Sequence, residues 1–445
     1  MKRALLLPLS LGLLAAACGN PSASPAGRTE DAARLVSPAS PTPSVDPVLQ
    51  WNRILLSIVR TPGAQPATVH PTRSFAMLHA AIYDAVNAID RTHAPYLIRL
   101  RNAPRGASQQ AAAAIAAHDV LVSLYPALSA QLDAQFDQSL TDLPDGEGKR
   151  QGVAIGAEVA RRILMLRADD GSAAQPLNYI FGTTPGAYQS TPPNFPAQPQ
   201  FTQWSHVRPF ALERANQFRP GSPPSLTSND YSNAFNEVKS LGPAAGSTAT
   251  ADDALTGRFW NGAIQNYWNE IAQTSSVVAT LTTAQNARLF ALLNLAFADS
   301  VIAFYDAKYV YNFWRPVTAI RAADTDGNAK TDADPNWLPE VGKTAPDPSY
   351  PGAHAVISAA AVAVLTDVLG TEPFEFSVTS EVMPGAERSF ESFAAAAQEA
   401  TLSRIFAGQH FRFDLGTGRV VGLQVADLVL DHFLTPRDDE DLERY

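Results

Sequence analysis

A single cysteine in 445 residues excludes an internal disulfide framework, a zinc finger and a Cys-ligated cluster. Basic runs are missing too. The 33 Lys and Arg stand against 43 Asp and Glu, a formal charge of −10 with no local cluster of cations, so general nucleic-acid binding is disfavoured. Beyond the N-terminus there is no run of eighteen consecutive apolar residues, and convincing strand alternation is scarce. Apolar material is plentiful: 46% of residues are hydrophobic and 17% charged, which suits a large core and argues against disorder.

The N-terminus reads as an address. Lys2 and Arg3 precede a short apolar run, residues 4–14, and Ala15, Ala16 and Ala17 supply the small residues of a cleavage site. Residues 1–17 are therefore expected to be a signal peptide. Cys18 sits as in a bacterial lipoprotein box, and residues 18–48, rich in Pro, Ser, Ala and Gly, read as a flexible tether. The expected product is exported: lipid-anchored in the cell envelope, or periplasmic or secreted. Its body is expected to be soluble, touching a membrane only through a lipid on Cys18.

Helical periodicity dominates the body. Residues 73–90 put Phe75, Leu78, Ile82, Ala85 and Ile89 on one stripe, and residues 108–125 and 152–167 repeat the pattern with much alanine. Ten of the 34 prolines fall between Pro176 and Pro224, which excludes a regular helix; so long a stretch packs over a surface or covers a pocket. Thr282 followed by Gln285 starts a long helix with a capping box; it buries Leu289, Leu292, Leu293, Ala296 and Phe297, runs toward Trp314 and is ended by Pro316. Further helices fit residues 353–369, closed by Gly370, then 387–407 and 416–433. The predicted fold class is all-α with two helical-bundle halves, residues 49–235 and 236–436, the active site in the second and an acidic tail at 437–445. The Ala-rich helices would suit a homodimer.

Three segments carry chemistry. Lys308 and Arg315 are seven residues apart, two turns of a helix, so both leave one face; two cations on an aromatic-rich helix end repel unless an anion lies between them. In PSYPGAH (348–354), Pro351, Gly352 and Ala353 open a helix whose first amides form an anion cradle beside His354. In SRIFAGQHFRFD, Gly408 ends a helix and so brings Arg404 and His410 to one point. Asp414 either orients the His410 ring or pairs with an arginine. Each residue also has an ordinary reading as a solvated cation, a salt-bridge partner or a core histidine. Together they describe a pocket for a tetrahedral or trigonal-bipyramidal oxyanion, with one imidazole attacking or ligating the central atom and the other moving protons.

Other features promise less. His79 and His118 read as core or half-buried histidines, while His70, His93, His206 and His432 carry no spacing signal. Asp324, Asp326 and Asn328 imitate the start of an EF-hand, but Pro335 stands where the bidentate Glu belongs; a solvated acidic turn with weak calcium binding at most is expected. No haem-attachment or dinucleotide-binding motif is present.

The motif set K-x6-R-P, P-x-Y-P-x-x-H and S-R-x5-H-x3-D resembles the vanadium-dependent haloperoxidases and the related type-2 phosphatidic acid phosphatase superfamily, in spacing and in order. AMLHAAIYDAVNAID and GTTPGAYQSTPPNFPAQP resemble its bacterial branch, so the likeness covers about residues 50–436. It implies vanadate as cofactor, with His410 as apical ligand and His354 as the acid–base group. Lys308, Arg315, Arg404 and the amides of Gly352 and Ala353 would surround the equatorial oxygens. The implied reaction oxidises a halide with hydrogen peroxide, through a His-ligated peroxovanadate, to a hypohalous-acid equivalent that meets a small organic acceptor. Two positions depart from the pattern: Gly352 and Ala353 replace a usual Ser-Gly, and Asp347 stands where an aromatic residue or histidine is common. Alternatives are an acid phosphatase acting through a phosphohistidine at His410 and a non-catalytic oxyanion-binding lipoprotein.

Overall fold

Asp46 opens the first helix, α1 (Pro47–Arg60), by accepting the Val48 amide. The structure, a computed structural model, describes residues 45–370 and 374–437; the predicted signal peptide, Cys18, most of the tether and the tail beyond Arg437 lie outside the described residues. A first bundle follows: α2 (Pro71–Asp90), α3 (Gln109–Leu124), α4 (Ser129–Thr141) and α5 (Glu147–Arg167), with α2, α3 and α5 packed on one another. The proline-rich stretch then makes only one short 3-10 turn, Trp204–His206, among its described residues. After it come α6 (Asn229–Leu241) and α7 (Ala251–Phe259).

The second bundle is α8 (Ile264–Val278), α9 (Thr283–Tyr311), the short α10 (Pro316–Arg321), α11 (Ala353–Leu369), α12 (Phe393–Phe406) and α13 (Arg412–His432). An antiparallel hairpin, β1 (Phe376–Thr379) with β2 (Glu387–Phe390), interrupts it and is the one sheet among the described residues, so the fold class is all-α. The Thr282–Gln285 capping box starts α9. This 29-residue helix is apolar enough to span a membrane, yet 94% of its apolar window is buried: it is the core helix, lying against α2, α11 and α13.

The two bundles share a register. Trp51-Asn52 of α1 corresponds to Trp268-Asn269 of α8. Asn52 meets His79 of α2 at 2.9 Å, as Asn269 meets Asn294 of α9 at 3.1 Å. Five residues further on in each case is a buried aspartate. Asp84 accepts the amides of Tyr96, Leu97 and Ile98, and Asp299 those of Phe210, Ala211 and Leu212. Gly156 of α5 and Gly422 of α13 let α3 and α11 approach; a Cβ on either would overlap the carbonyl oxygen of Ala112 or Val356.

Four expectations are corrected. The long helix stops at Tyr311, where Asn312 adopts a left-handed conformation (φ 47°), and Pro316 instead opens α10, as a proline at the first helical position does. Residues 387–390 are a strand, too short for its alternation to show, and α12 starts only after the Ser392 cap. The last helix begins at Arg412 rather than 416. Residue 236, the expected boundary between halves, lies inside α6, which packs on α10, α12 and α13.

Candidate active site

The site forms where α9, α11, α12 and α13 end or begin. Its side chains line a cavity of about 260 Å³: Lys308 from the last turn of α9, Arg315 capping α10, Ala353 and His354 from the first turn of α11, Arg404 near the end of α12, and His410 before α13. Lys308 and Arg315 do not meet across two turns of one helix, as their spacing suggested. The chain breaks at Asn312 and returns, and both reach the segment 347–349. Gly408, at φ 72°, ends α12 and turns the chain so that His410 enters the cavity with Arg404.

His410 is 3% exposed and its tautomer follows from its partners. Nε2 lies 3.1 Å from Arg315 Nη1, which only donates, so Nε2 is the acceptor. Nδ1 therefore carries the proton and donates to Asp414 Oδ2 at 3.0 Å. Asp414 in turn accepts Ser349 Oγ at 2.5 Å and the Phe411 amide at 3.1 Å. Burial, then the charges of Arg315, Lys308 and Arg404, hold the imidazole neutral, well below its ordinary value. His354, half-buried, donates from Nε2 to the Trp260 carbonyl at 2.8 Å, which leaves Nδ1 as its lone-pair nitrogen. Burial, then Arg404, also hold it neutral.

The cations divide into two kinds. Arg404 has no carboxylate partner among the described residues: Nη1 reaches Asn261 Oδ1 at 3.2 Å and Nε is buried without any partner. Burial, then Arg315, bring its pKa down to about 9. Lys308 and Arg315 are already engaged. Lys308 donates to the carbonyls of Pro348 and Ser349, the latter at 3.2 Å, and Arg315 Nε to the Asp347 carbonyl at 2.8 Å. The Asp347 carboxylate forms an ion pair with Arg315 and lies 3.5 Å from Lys308.

A buried guanidinium with an unpartnered N–H calls for an anion, and a neutral imidazole whose lone pair meets only an Arg315 N–H can exchange that contact for an electrophilic centre; the donor set therefore fits a tetrahedral oxyanion such as vanadate. One expected donor is removed: the Gly352 amide donates to the Asp414 carbonyl at 2.9 Å, and of the two residues only Ala353 lines the cavity.

Sequence reasoning passed over His70. It caps α2, and its ring stands in the cavity wall with centroids 5.1 Å from Phe201 and 6.2 Å from Tyr305; burial lowers its pKa to about 3. The signal was available only as a His-Pro helix start, too common to single out. The proline-rich stretch does cover the pocket. Gln200 and Phe201 line the cavity, and Thr191 to Pro196 border an adjoining recess of about 360 Å³ that reaches His354 and Arg404. His79 is a core residue, bonded to Asn52. In the acidic loop, Asp326 accepts the Asn328 amide and the Thr331 hydroxyl, and no group of three or more candidate metal ligands occurs among the described residues.

Residues 288–439 match the family described as the VCPO second helical-bundle domain. A vanadium chloroperoxidase of Curvularia inaequalis is 26% identical over 490 aligned residues, covering 84% of this chain and 79% of that protein. The crystal structure titled as the first bacterial vanadium-dependent iodoperoxidase superimposes with a TM-score of 0.75 at 24% identity, over 88% of this chain and 97% of that one. A holo-type bacterial vanadium-dependent chloroperoxidase does so with a TM-score of 0.62 at 15% identity, over 88% and 93%. These two likenesses establish the fold.

Proposed function

We propose that the chain belongs to the vanadium-dependent haloperoxidase family and is an exported haloperoxidase that uses hydrogen peroxide to oxidise a halide to a hypohalous-acid equivalent. The observation that carries this reading is the buried meeting of His410 Nε2 with Arg315, its Nδ1 anchored by Asp414, beside the unpartnered Nε of Arg404. Vanadate, when bound, supplies a Lewis-acidic centre that activates peroxide without a change of oxidation state. The protein's part is to hold and neutralise it. His410 would offer its lone pair as Arg315 Nη1 turns to an oxygen, Asp414 keeps the ring in the ligating tautomer, and Arg404, Arg315 and the Ala353 amide would supply donors for the oxygens. His354, neutral and with Nδ1 free to accept, would serve as the group that takes up a proton at that nitrogen. Export is supported by Lys2, Arg3, the apolar run and the Ala-Ala-Ala-Cys sequence.

The relatives' names span chloride and iodide, so the halide is an experimental matter. Apoprotein assayed for peroxide-dependent halogenation of a phenolic dye with chloride, bromide and iodide is expected to be active only after addition of orthovanadate. Vanadate-inhibited hydrolysis of p-nitrophenyl phosphate without halogenation would instead identify a phosphatase working through His410.

A further inference from the structure

Asp347 is 4% exposed, lines the cavity, and is, among the described residues, the one carboxylate that touches the cation cluster from inside it. Oδ1 faces Arg315 and Lys308. Oδ2 accepts from Tyr305 Oη and from Gln200 Nε2, each at 3.3 Å. A carboxylate held by two cations and two neutral donors has the contacts an oxyanion oxygen would seek. Arg315 reaches the His410 lone pair with Nη1 and Asp347 with Nη2, so one guanidinium bridges the carboxylate and the imidazole. Lys308 and Arg315 hold it ionised although burial opposes this. The Tyr305 and Gln200 contacts are independent of the cations, so Asp347 can release Arg315 without becoming unpartnered.

We propose that Asp347 is a built-in competitor of the bound oxyanion, occupying donors of Arg315 and Lys308 that the anion needs and thereby setting the site's affinity. The inference rests on the oxyanion reading of this cavity. Three cations then face two carboxylates, Asp347 and Asp414, rather than one. The site is tuned to take up a tetrahedral anion weakly and to let it go, and a halide entering the same cavity meets a fixed negative charge.

The test is calorimetric titration of the apoprotein with orthovanadate and, separately, inorganic phosphate, alongside thermal melts. Asp347→Asn is expected to bind both anions about tenfold more tightly than wild type, since the competitor's charge is gone while shape is kept. Tyr305→Phe removes one of the contacts that keep Asp347 partnered once it releases Arg315, without changing charge, and is expected to weaken binding about twofold to threefold. Equal or weaker binding by a folded Asp347→Asn protein overturns the proposal. Should that variant fail to fold, tighter binding by Tyr305→Phe does so. Absence of binding by wild type and both variants would instead remove the oxyanion reading itself.

Discussion

Ser108 and Gly352 hold the same place in the two bundles. Each precedes an Ala-rich helix, and each donates its amide to a carbonyl at the start of the bundle's last helix, Gly148 in one and Asp414 in the other. In the same register, Gln110 stands where the second bundle has His354, and Pro144 where it has His410. The packing devices recur: a Trp-Asn pair, a buried aspartate gathering three amides, and a glycine under the neighbouring helix. The chemistry does not recur. A helical skeleton is thus indifferent to function, and the site belongs to the helix ends and connecting segments at the mouth of one bundle, residues 308–354 and 404–414.

That contrast can be broken most sharply at the corresponding histidine and proline. His410→Ala is expected to lower vanadate-dependent halogenation at least ~1000-fold, while Pro144→Ala, at an exposed turn, leaves it within about twofold. Stopped assays at saturating peroxide would show this, and equal losses in both would end the assignment of chemistry to the second bundle.

The two aspartates should behave alike because their role is structural. Asp84→Asn and Asp299→Asn each disturb three buried amides and are expected to cost about 2–4 kcal/mol in urea unfolding. Burial, against the bonds from those amides, raises Asp84 from 3.8 to about 7 and Asp299 from 3.8 to about 6. The folded state then keeps protons that the unfolded chain has released. Wild type's advantage over either Asn variant is therefore largest near pH 4 and shrinks as pH rises toward 7; a gap independent of pH would show the carboxylates to be ionised throughout.

The glycines separate stability from activity. Gly156→Ala and Gly422→Ala are each expected to lose about 2–3 kcal/mol by thermal unfolding, since the added methyl meets backbone. Only Gly422→Ala, which displaces the helix carrying His354, should also cut halogenation, by about tenfold. The smallest effect is expected where the bundles can be made more alike. Gly352→Ser gives the second bundle the residue that the first has at Ser108, and its Cβ would sit 3.0 Å from a flexible Leu415 methyl. Vanadate affinity, followed by equilibrium dialysis, should improve by about 1 kcal/mol if the hydroxyl reaches the anion.

Much of the fold was legible because long amphipathic helices announce themselves. The Thr282–Gln285 box, the Gly370 stop and the stripe containing Phe75 and Leu78 are local patterns with local causes. The hairpin was not legible, as four-residue strands carry too little alternation. Pro316 was misread because a proline opens a helix as readily as it closes one, and Asn312 supplied the stop. In the site, Lys308, Arg315, His354, Arg404 and His410 were marked by spacing, and the cavity brings them together. His70 and the grip of Asp347 on Arg315 were invisible because their partners lie far away along the chain.

The sequence alone determined the helical class, the helix caps, the lack of disulfides and the residue types able to hold an oxyanion, all of which depend on composition or on neighbours a few positions apart. Only the tertiary structure decided which of those groups remain free. Whether a donor awaits a ligand or already has one is a matter of distance between remote segments. Among the described residues, folding leaves Arg404 Nε without a partner, commits the Gly352 amide to Asp414, and places the Asp347 carboxylate between two cations.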